Sequence, residues 1–237
     1  MTQKHEPGIT LAVDTSGRAG SVAVGVGKDL WASRPFSGAL RHNAELFPTI
    51  QDLLREFNEN PARIAYIGIT SGPGSFTGIR IAVTLAKMIA MANNAAIVTT
   101  RSSDALIRNL QNEGGYEYAA TIIDAKRGMF FTAVFQNIEG KWVKIVDDRL
   151  IQPQEFVELA EGYSGKICLL GEGLEYYSDR FAGEKIEIAP KDLWSVRADN
   201  VYRIAQDLIE ASDFVEPEKL KPFYLRRADA VKKSRAK

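Results

Sequence analysis

An α/β protein made of two similar halves is what this sequence predicts, and three observations predict it. The first hundred residues read strand, strand, strand, helix, strand, helix, strand, whereas a plain doubly wound fold would alternate from the start. The second half partly repeats that order, and in each half the opening strand closes on an aspartate, Asp14 and Asp124. A glycine-rich run, Ser71-Gly72-Pro73-Gly74-Ser75-Phe76-Thr77-Gly78-Ile79-Arg80, turns tightly between a strand and a long apolar helix.

The elements follow from patterning. Ile9 to Val13 is an apolar strand running into Asp14-Thr15-Ser16-Gly17. Ser21 to Val26 alternates, and Leu30 to Pro35 follows a Gly27-Lys28-Asp29 turn, giving a meander. Leu46, Phe47, Ile50, Leu53, Leu54 and Phe57 fall at helical spacing, with Pro48 expected to start or kink that helix. Ile64 to Thr70 is the next strand, Thr77 to Ala92 the next helix, and Ala96 to Thr99 a short strand. Ser102 or Ser103 is placed to cap a helix through Leu110. Tyr118 to Ile123 is a strand entering Asp124; Met129 to Gln136 and Lys141 to Leu150 form a hairpin about Glu139-Gly140. Pro153 to Leu159 is helical, Ile167 to Leu170 is a strand entering Gly171-Glu172-Gly173, and Val196 to Ala211 is helical. The expected division is an N-terminal lobe over 1–100, a C-terminal lobe over 101–216 and a basic tail over 217–237.

Composition narrows the functions. The 237 residues are 45% hydrophobic and 25% charged, which suits a globular protein with a sizeable core. Thirty basic and thirty acidic side chains cancel, so no global field favours nucleic acid or an anionic membrane. One cysteine, Cys168, excludes an intrachain disulfide and a thiolate metal cluster, and its apolar surroundings read as core. The two histidines, His5 and His42, are not spaced to share a metal, so no metal site and no Ser-His-Asp hydrolase is expected. Met1 to Gly8 lacks the apolar centre of a signal peptide. Arg80, Thr84 and Lys87 interrupt the apolar stretch from Ile79 to Ala92, which is read as too short for a bilayer; the expected location is cytoplasmic, with no membrane contact. From Lys221 onward the tail carries Arg226, Arg227, Lys232, Lys233, Arg235 and Lys237 against Asp229, and reads as a solvated segment or a phosphate-contacting arm.

Two features carry chemistry. An aspartate ending the first strand, followed by Thr15 and Ser16, suits a hydrated magnesium ion with phosphates wrapped by the hairpin loop. The same residues also make an ordinary Asx or Ser/Thr turn. Asp124-Ala125-Lys126-Arg127-Gly128 takes the equivalent place in the second half. The glycine-rich run is no P-loop, since Ile79-Arg80 replaces Lys-Ser/Thr, and its glycines miss the dinucleotide spacing. It suits an anion or a close-packed neighbour. The helix after it is apolar almost all round, apart from a stripe of Arg80, Thr84 and Lys87. One side is expected on the sheet and the other on a second polypeptide, with Leu46, Ile50, Ile79, Ala82, Val83, Ala86 and Ile89 forming the partner face.

These residues together resemble the TsaB (YeaZ) family. The resemblance rests on Leu11-Ala12-Val13-Asp14-Thr15-Ser16, Arg41-His42-Asn43-Ala44-Glu45-Leu46, Gly72 to Arg80, Ile123 to Gly128, Gly171-Glu172-Gly173 and Pro222-Phe223-Tyr224-Leu225-Arg226. It implies an actin-like ATPase fold (ribonuclease H-like) of two related lobes. It also implies a non-catalytic scaffold that binds TsaD and supports threonylcarbamoyl transfer to the adenosine beside the anticodon of tRNA. TsaE, an ATPase, is an implied partner, tRNA is met through the complex, and a homodimer is expected without TsaD. TsaD-like proteins hold a metal with a His-x-x-x-His pair after the glycine-rich helix; the corresponding stretch here, Ile97 to Asp104, has no histidine. No cofactor is required on this reading, and Asp14, Thr15, Ser16, Asp124, Gly171 and Gly173 are the candidates for weak ATP or ADP binding with magnesium. An autonomous small-molecule kinase or ATPase of the same fold stays open as the alternative.

Overall fold

The structure, a computed structural model, describes residues 8–37, 42–111 and 113–225. Strands β1 (Ile9–Asp14), β2 (Ser21–Val26) and β3 (Asp29–Pro35) form an antiparallel meander. Strands β4 (Ile64–Thr70) and β5 (Ala96–Thr100) add in parallel on the far side of β1, so the sheet runs β3-β2-β1-β4-β5. The second sheet is built from β6 (Tyr118–Thr121), the two-residue β7 (Ile123–Asp124), β8 (Phe130–Ile138), β9 (Lys141–Ile151), β10 (Ile167–Leu170) and β11 (Ile186–Ile188). Five of its strands, in the order β9-β8-β6-β10-β11, repeat the first sheet strand for strand, with the antiparallel pairs on one side of β6 and the parallel ones on the other, and the short β7 also pairs with β8. The duplication suggested by two aspartate-ended strands is therefore a duplication of topology. The expected strand from Tyr118 to Ile123 is broken at Ile122, whose N–H donates to Leu170 O at 2.8 Å. Glu139 and Gly140 both take positive φ, 52° and 81°, the geometry that a two-residue hairpin turn requires.

Among the described residues, five α-helices cover the sheets: α1 (His42–Glu56), α2 (Phe76–Asn93), α3 (Ser102–Ile107), α4 (Pro153–Glu161) and α5 (Ala198–Glu210). Alternation sorts the strands. Leu11, Val13, Val22 and Val24 point into one core with Leu46, Leu53, Leu54, Ile79 and Ala86 of α1 and α2. Their neighbours Ala12 and Ala23 point the other way, into a second core with Leu106 of α3 and Val201, Tyr202 and Ile204 of α5. Small residues on that face let α5 approach: a Cβ on Gly68 would lie 2.8 Å from the Ala205 Cβ. That same core takes in Ala119, Ala133 and Cys168 of the second sheet. A boundary at residue 100 thus separates the sheets but not the cores, because α5 returns from the second half to pack on the first sheet. Cys168 is buried there, and burial pushes its thiol up to about 12, as suits a core residue.

Several local expectations are corrected. Pro48 lies inside α1; both it and Ala44, one turn earlier, are exposed, so water can serve the carbonyl that the missing N–H leaves free. Ser102 and Ser103 are buried inside α3 rather than capping it, and Arg101 takes the cap position without a side-chain bond. Helix α2 spans 18 residues and is long and apolar enough to cross a membrane, contrary to the sequence reading, yet Gly78, Ile79, Ala82, Val83, Leu85, Ala86 and Ala90 are buried. Nor is residue 217 the start of a loose tail. Val215 pairs with Ile97, Leu220 is buried, and the Phe223 N–H donates to Ser71 O at 2.7 Å. The cationic positions Arg226 to Lys237, like Arg41 and the N-terminal residues 1–7, lie outside the described residues.

Candidate functional site: the interlobe cleft and the outer helix face

Strand β1 delivers Asp14 to the floor of the cleft. Asp14 Oδ1 accepts from the Ser16 N–H at 3.1 Å, the Ser16 hydroxyl at 2.6 Å and the Thr70 hydroxyl at 2.5 Å, which ties β1 to β4. Asp14 Oδ2 is buried, and among the described residues it has no hydrogen-bond partner. Burial raises this carboxyl to about 6 against the pull of those three bonds, with a further push from the Glu172 charge. Thr15 donates its hydroxyl to Gly78 O at 2.7 Å, and Ser16 O accepts from the Ser75 N–H at 2.7 Å. The glycine-rich run therefore meets a close-packed neighbour, the backbone of Thr15 and Ser16. Ser75 caps α2, accepting from the Gly78 N–H at 3.2 Å.

Across the cleft, the segment after β10 projects a carboxylate. Gly171 has φ 137°, and a Cβ there would lie 2.2 Å from Ile122 O; one on Gly173 would lie 2.7 Å from the same oxygen. The two glycines seat the turn against Ile122 and leave Glu172 reaching towards the β1–β2 loop. Glu172 Oε2 accepts from the Arg18 N–H, and Oε1 accepts from the Ala19 N–H at 3.2 Å and the Ser195 hydroxyl at 2.8 Å. Asp124 bonds within its own turn, accepting from the Lys126 N–H at 2.7 Å and pairing with its ammonium at 2.6 Å. A cavity of about 350 Å³ lies between these groups, lined by Ser16, Gly17, Asp124, Lys126, Glu172 and Trp194 among others. Of the predicted phosphate residues, Ser16 and Asp124 line it; Asp14 and Thr15 lie beneath, and Gly171 and Gly173 lie behind Glu172. Sequence reasoning singled out those glycines and passed over the residue between them. A carboxylate flanked by glycines directly after a core strand was the available signal.

Of the predicted partner residues, Leu46 forms part of the wall of a groove between α1 and α2, and the others lie beneath the outer face of α2. Leu46, Ile50, Ile79, Ala82, Val83 and Ala86 are buried by their own lobe, and Ile89 is half-buried, because this side of the helix packs on the sheet. The outward line is Phe76, Arg80, Thr84 and Met88, one turn apart, continued by Met91 and flanked by Phe47 of α1. Met88 is 53% exposed, Met91 84% and Phe47 50%. The groove between α1 and α2 has a volume of about 350 Å³, and its walls include Leu46, Phe47, Phe76, Ile81, Thr84 and Met88. At its upper end the Arg80 guanidinium lies 4.5 Å over the Phe76 ring, which stacks on Tyr224 at 5.0 Å.

A model of the TsaD family, described as tRNA N6-adenosine threonylcarbamoyltransferase, matches residues 34–217, most of the chain. The chain belongs to the TsaD family, on its TsaB (YeaZ) branch. It is similar to the tRNA threonylcarbamoyladenosine biosynthesis protein TsaB of Escherichia coli (strain K12), 25% identical over 94% of this chain and 96% of that protein. It is 29% identical to the protein of the same name from Bacillus subtilis (strain 168), over 55% of this chain and 56% of that protein. The alignment thus spans little more than half of that second relative. Among solved structures, YeaZ from Pseudomonas aeruginosa superposes with a TM-score of 0.79 over 92% of this chain and 100% of its own, at 24% identity. The α/β architecture of two related lobes that the sequence led one to expect is the one observed, in the matching strand orders of the two sheets and in the superposition on YeaZ.

Proposed function

We propose that this TsaB-family chain is a non-catalytic subunit of the machinery that makes threonylcarbamoyladenosine in tRNA. It docks on a TsaD protein and supports threonylcarbamoyl transfer to the adenosine beside the anticodon, with tRNA and the TsaE ATPase joining the assembly. One observation carries the reading: the apolar groove between α1 and α2, rimmed by the exposed Phe47, Phe76 and Met88, with Met91 exposed further along the same helix. Exposed apolar side chains gathered on one face are characteristic of docking sites, where scattered ones would mean little. The lack of histidine from Ile97 to Asp104 and the buried Cys168 support a non-catalytic role. Without TsaD, the same groove serves a homodimer.

The test is titration of TsaD into the full chain and into Met88→Glu, followed by calorimetry. A loss of at least tenfold in affinity, with an unchanged circular dichroism spectrum, is expected. Equal affinity for the two proteins would overturn the docking face. The rival reading, an autonomous kinase or ATPase, needs a free phosphate loop beside Asp14, and the loop's N–H groups of Arg18 and Ala19 are already bonded to Glu172.

A further inference from the structure

We infer that Glu172 is a tethered anion that occupies the phosphate position of the β1–β2 loop and keeps phosphates out of the cleft. The loop offers a small anion the N–H groups of Arg18 and Ala19, joined by the Ser195 hydroxyl. A carboxylate and a phosphate present the same feature to such donors: two charged oxygens on one centre, held by charge-assisted bonds. Here both oxygens come from the chain itself. The seat is close, since a Cβ on Gly17 would lie 2.8 Å from Glu172 Oε2.

Three consequences make the occupant hard to displace. The carboxylate is intramolecular, so a free anion competes against a local concentration in the millimolar range or above. A phosphate would have to displace Glu172 and strand its charge in a half-buried cleft. The incoming charge would also join Asp14, whose carboxyl Glu172 already pushes up. Two of the cations lining the cavity have other contacts: Lys126 pairs with Asp124 at 2.6 Å, and the Arg18 guanidinium lies over the Tyr176 ring at 5.3 Å. The residues expected from sequence to hold ATP or ADP with magnesium therefore do not fit a nucleotide at this loop. The scaffold keeps the strand-ending aspartate and the hairpin of an actin-like ATPase and fills the anion seat with its own side chain. This inference is independent of the docking groove on α2.

The experiment is anion binding by the full chain, using inorganic phosphate, ADP with magnesium, and acetate as probes, read by calorimetry and thermal melting. Wild-type protein should bind none of them at millimolar concentration. Glu172→Ala frees the loop amides and should bind phosphate and ADP at least tenfold more tightly than wild type. Acetate, as a replacement carboxylate, should raise the melting temperature of that variant and leave wild type unmoved. Glu172→Gln keeps the shape without the charge and should fall between the two. Phosphate or ADP binding to wild type as tightly as to Glu172→Ala would overturn the inference. So would folded variants that gain no anion affinity. Should both variants fail to fold, the amide resonances of Arg18 and Ala19 in wild type decide: they should be unmoved by millimolar phosphate, and their movement would reject the assignment.

Discussion

Gly78 and Thr15 share one contact from both sides: the Thr15 hydroxyl donates to Gly78 O at 2.7 Å, and a Cβ on Gly78 would lie 1.8 Å from Thr15 O. The atom in the way is backbone, so a side chain at 78 must push the start of α2 off the end of β1. Gly78→Ala should destabilise the protein by about 3 kcal/mol, at the upper end for an overpacked site. Thr15→Val keeps the volume and loses the hydrogen bond, and should cost about 1 kcal/mol. Urea unfolding of both variants checks the order; an alanine at 78 that is as stable as wild type would contradict the geometry.

Asp14 makes stability depend on pH in an unusual direction. Burial raises its carboxyl from 3.8 to about 6, with Glu172 the charged group facing it. Between those values the folded chain holds a proton that the unfolded chain has lost. Stability from this group therefore falls as pH rises from about 4 to about 6, and is level above that. At about 1.4 kcal/mol per pH unit the full effect is about 3 kcal/mol. Asp14→Asn removes it, so the difference in unfolding free energy, variant minus wild type, should grow in the variant's favour across that window. A difference that does not change with pH would show that Asp14 titrates normally.

Substitutions on α2 should separate packing from docking. Ala86 is fully buried against the first sheet, so Ala86→Glu places a charge in a closed core and should unfold the lobe. Met88, two positions later, is 53% exposed, and Met88→Glu should leave stability within about 0.5 kcal/mol of wild type. Thermal melting of the two side by side is the check. Similar losses from both would mean that the helix is not seated as described.

How much of this was legible in the sequence depends on the range of the interaction. Alternation in Ser21 to Val26 and the helical spacing from Leu46 to Phe57 report local geometry, so the sheets and α1 were readable. The phase of α2 was harder, because a helix apolar nearly all round names no single inward side. Its polar stripe held the answer: Phe76 and Met88 lie on the line of Arg80 and Thr84, and that line faces outward. The exposed face of the helix is thus on the stripe rather than opposite it. Glu172 was harder for a different reason: its flanking glycines mark a turn, but its partners Arg18 and Ala19 lie 154 and 153 positions away in sequence. The return of α5 to the first sheet is equally non-local, and only the run of small residues at Ala12, Ala23 and Gly68 hinted at a helix packed closely there.

The segment from Glu216 to Leu225 should behave as part of the N-terminal lobe. Its Phe223 N–H bonds Ser71 O, and the Arg101 guanidinium covers the Phe223 ring at 3.4 Å. Tyr224 stacks on Phe76 at the end of the groove between α1 and α2. Phe223→Ala loses the cation–π contact and half-buried ring area, and should cost about 2 kcal/mol. Because Tyr224 then loses its anchor, TsaD binding should weaken as well. Truncation after Leu225 removes only the cationic stretch and should leave melting unchanged, while lowering the salt dependence of tRNA binding by the assembled complex if that stretch contacts phosphates. An unchanged salt slope would confine the role of the C-terminal region to the packed segment. A truncation that lowers the melting temperature as far as Phe223→Ala would extend the packed region beyond Leu225.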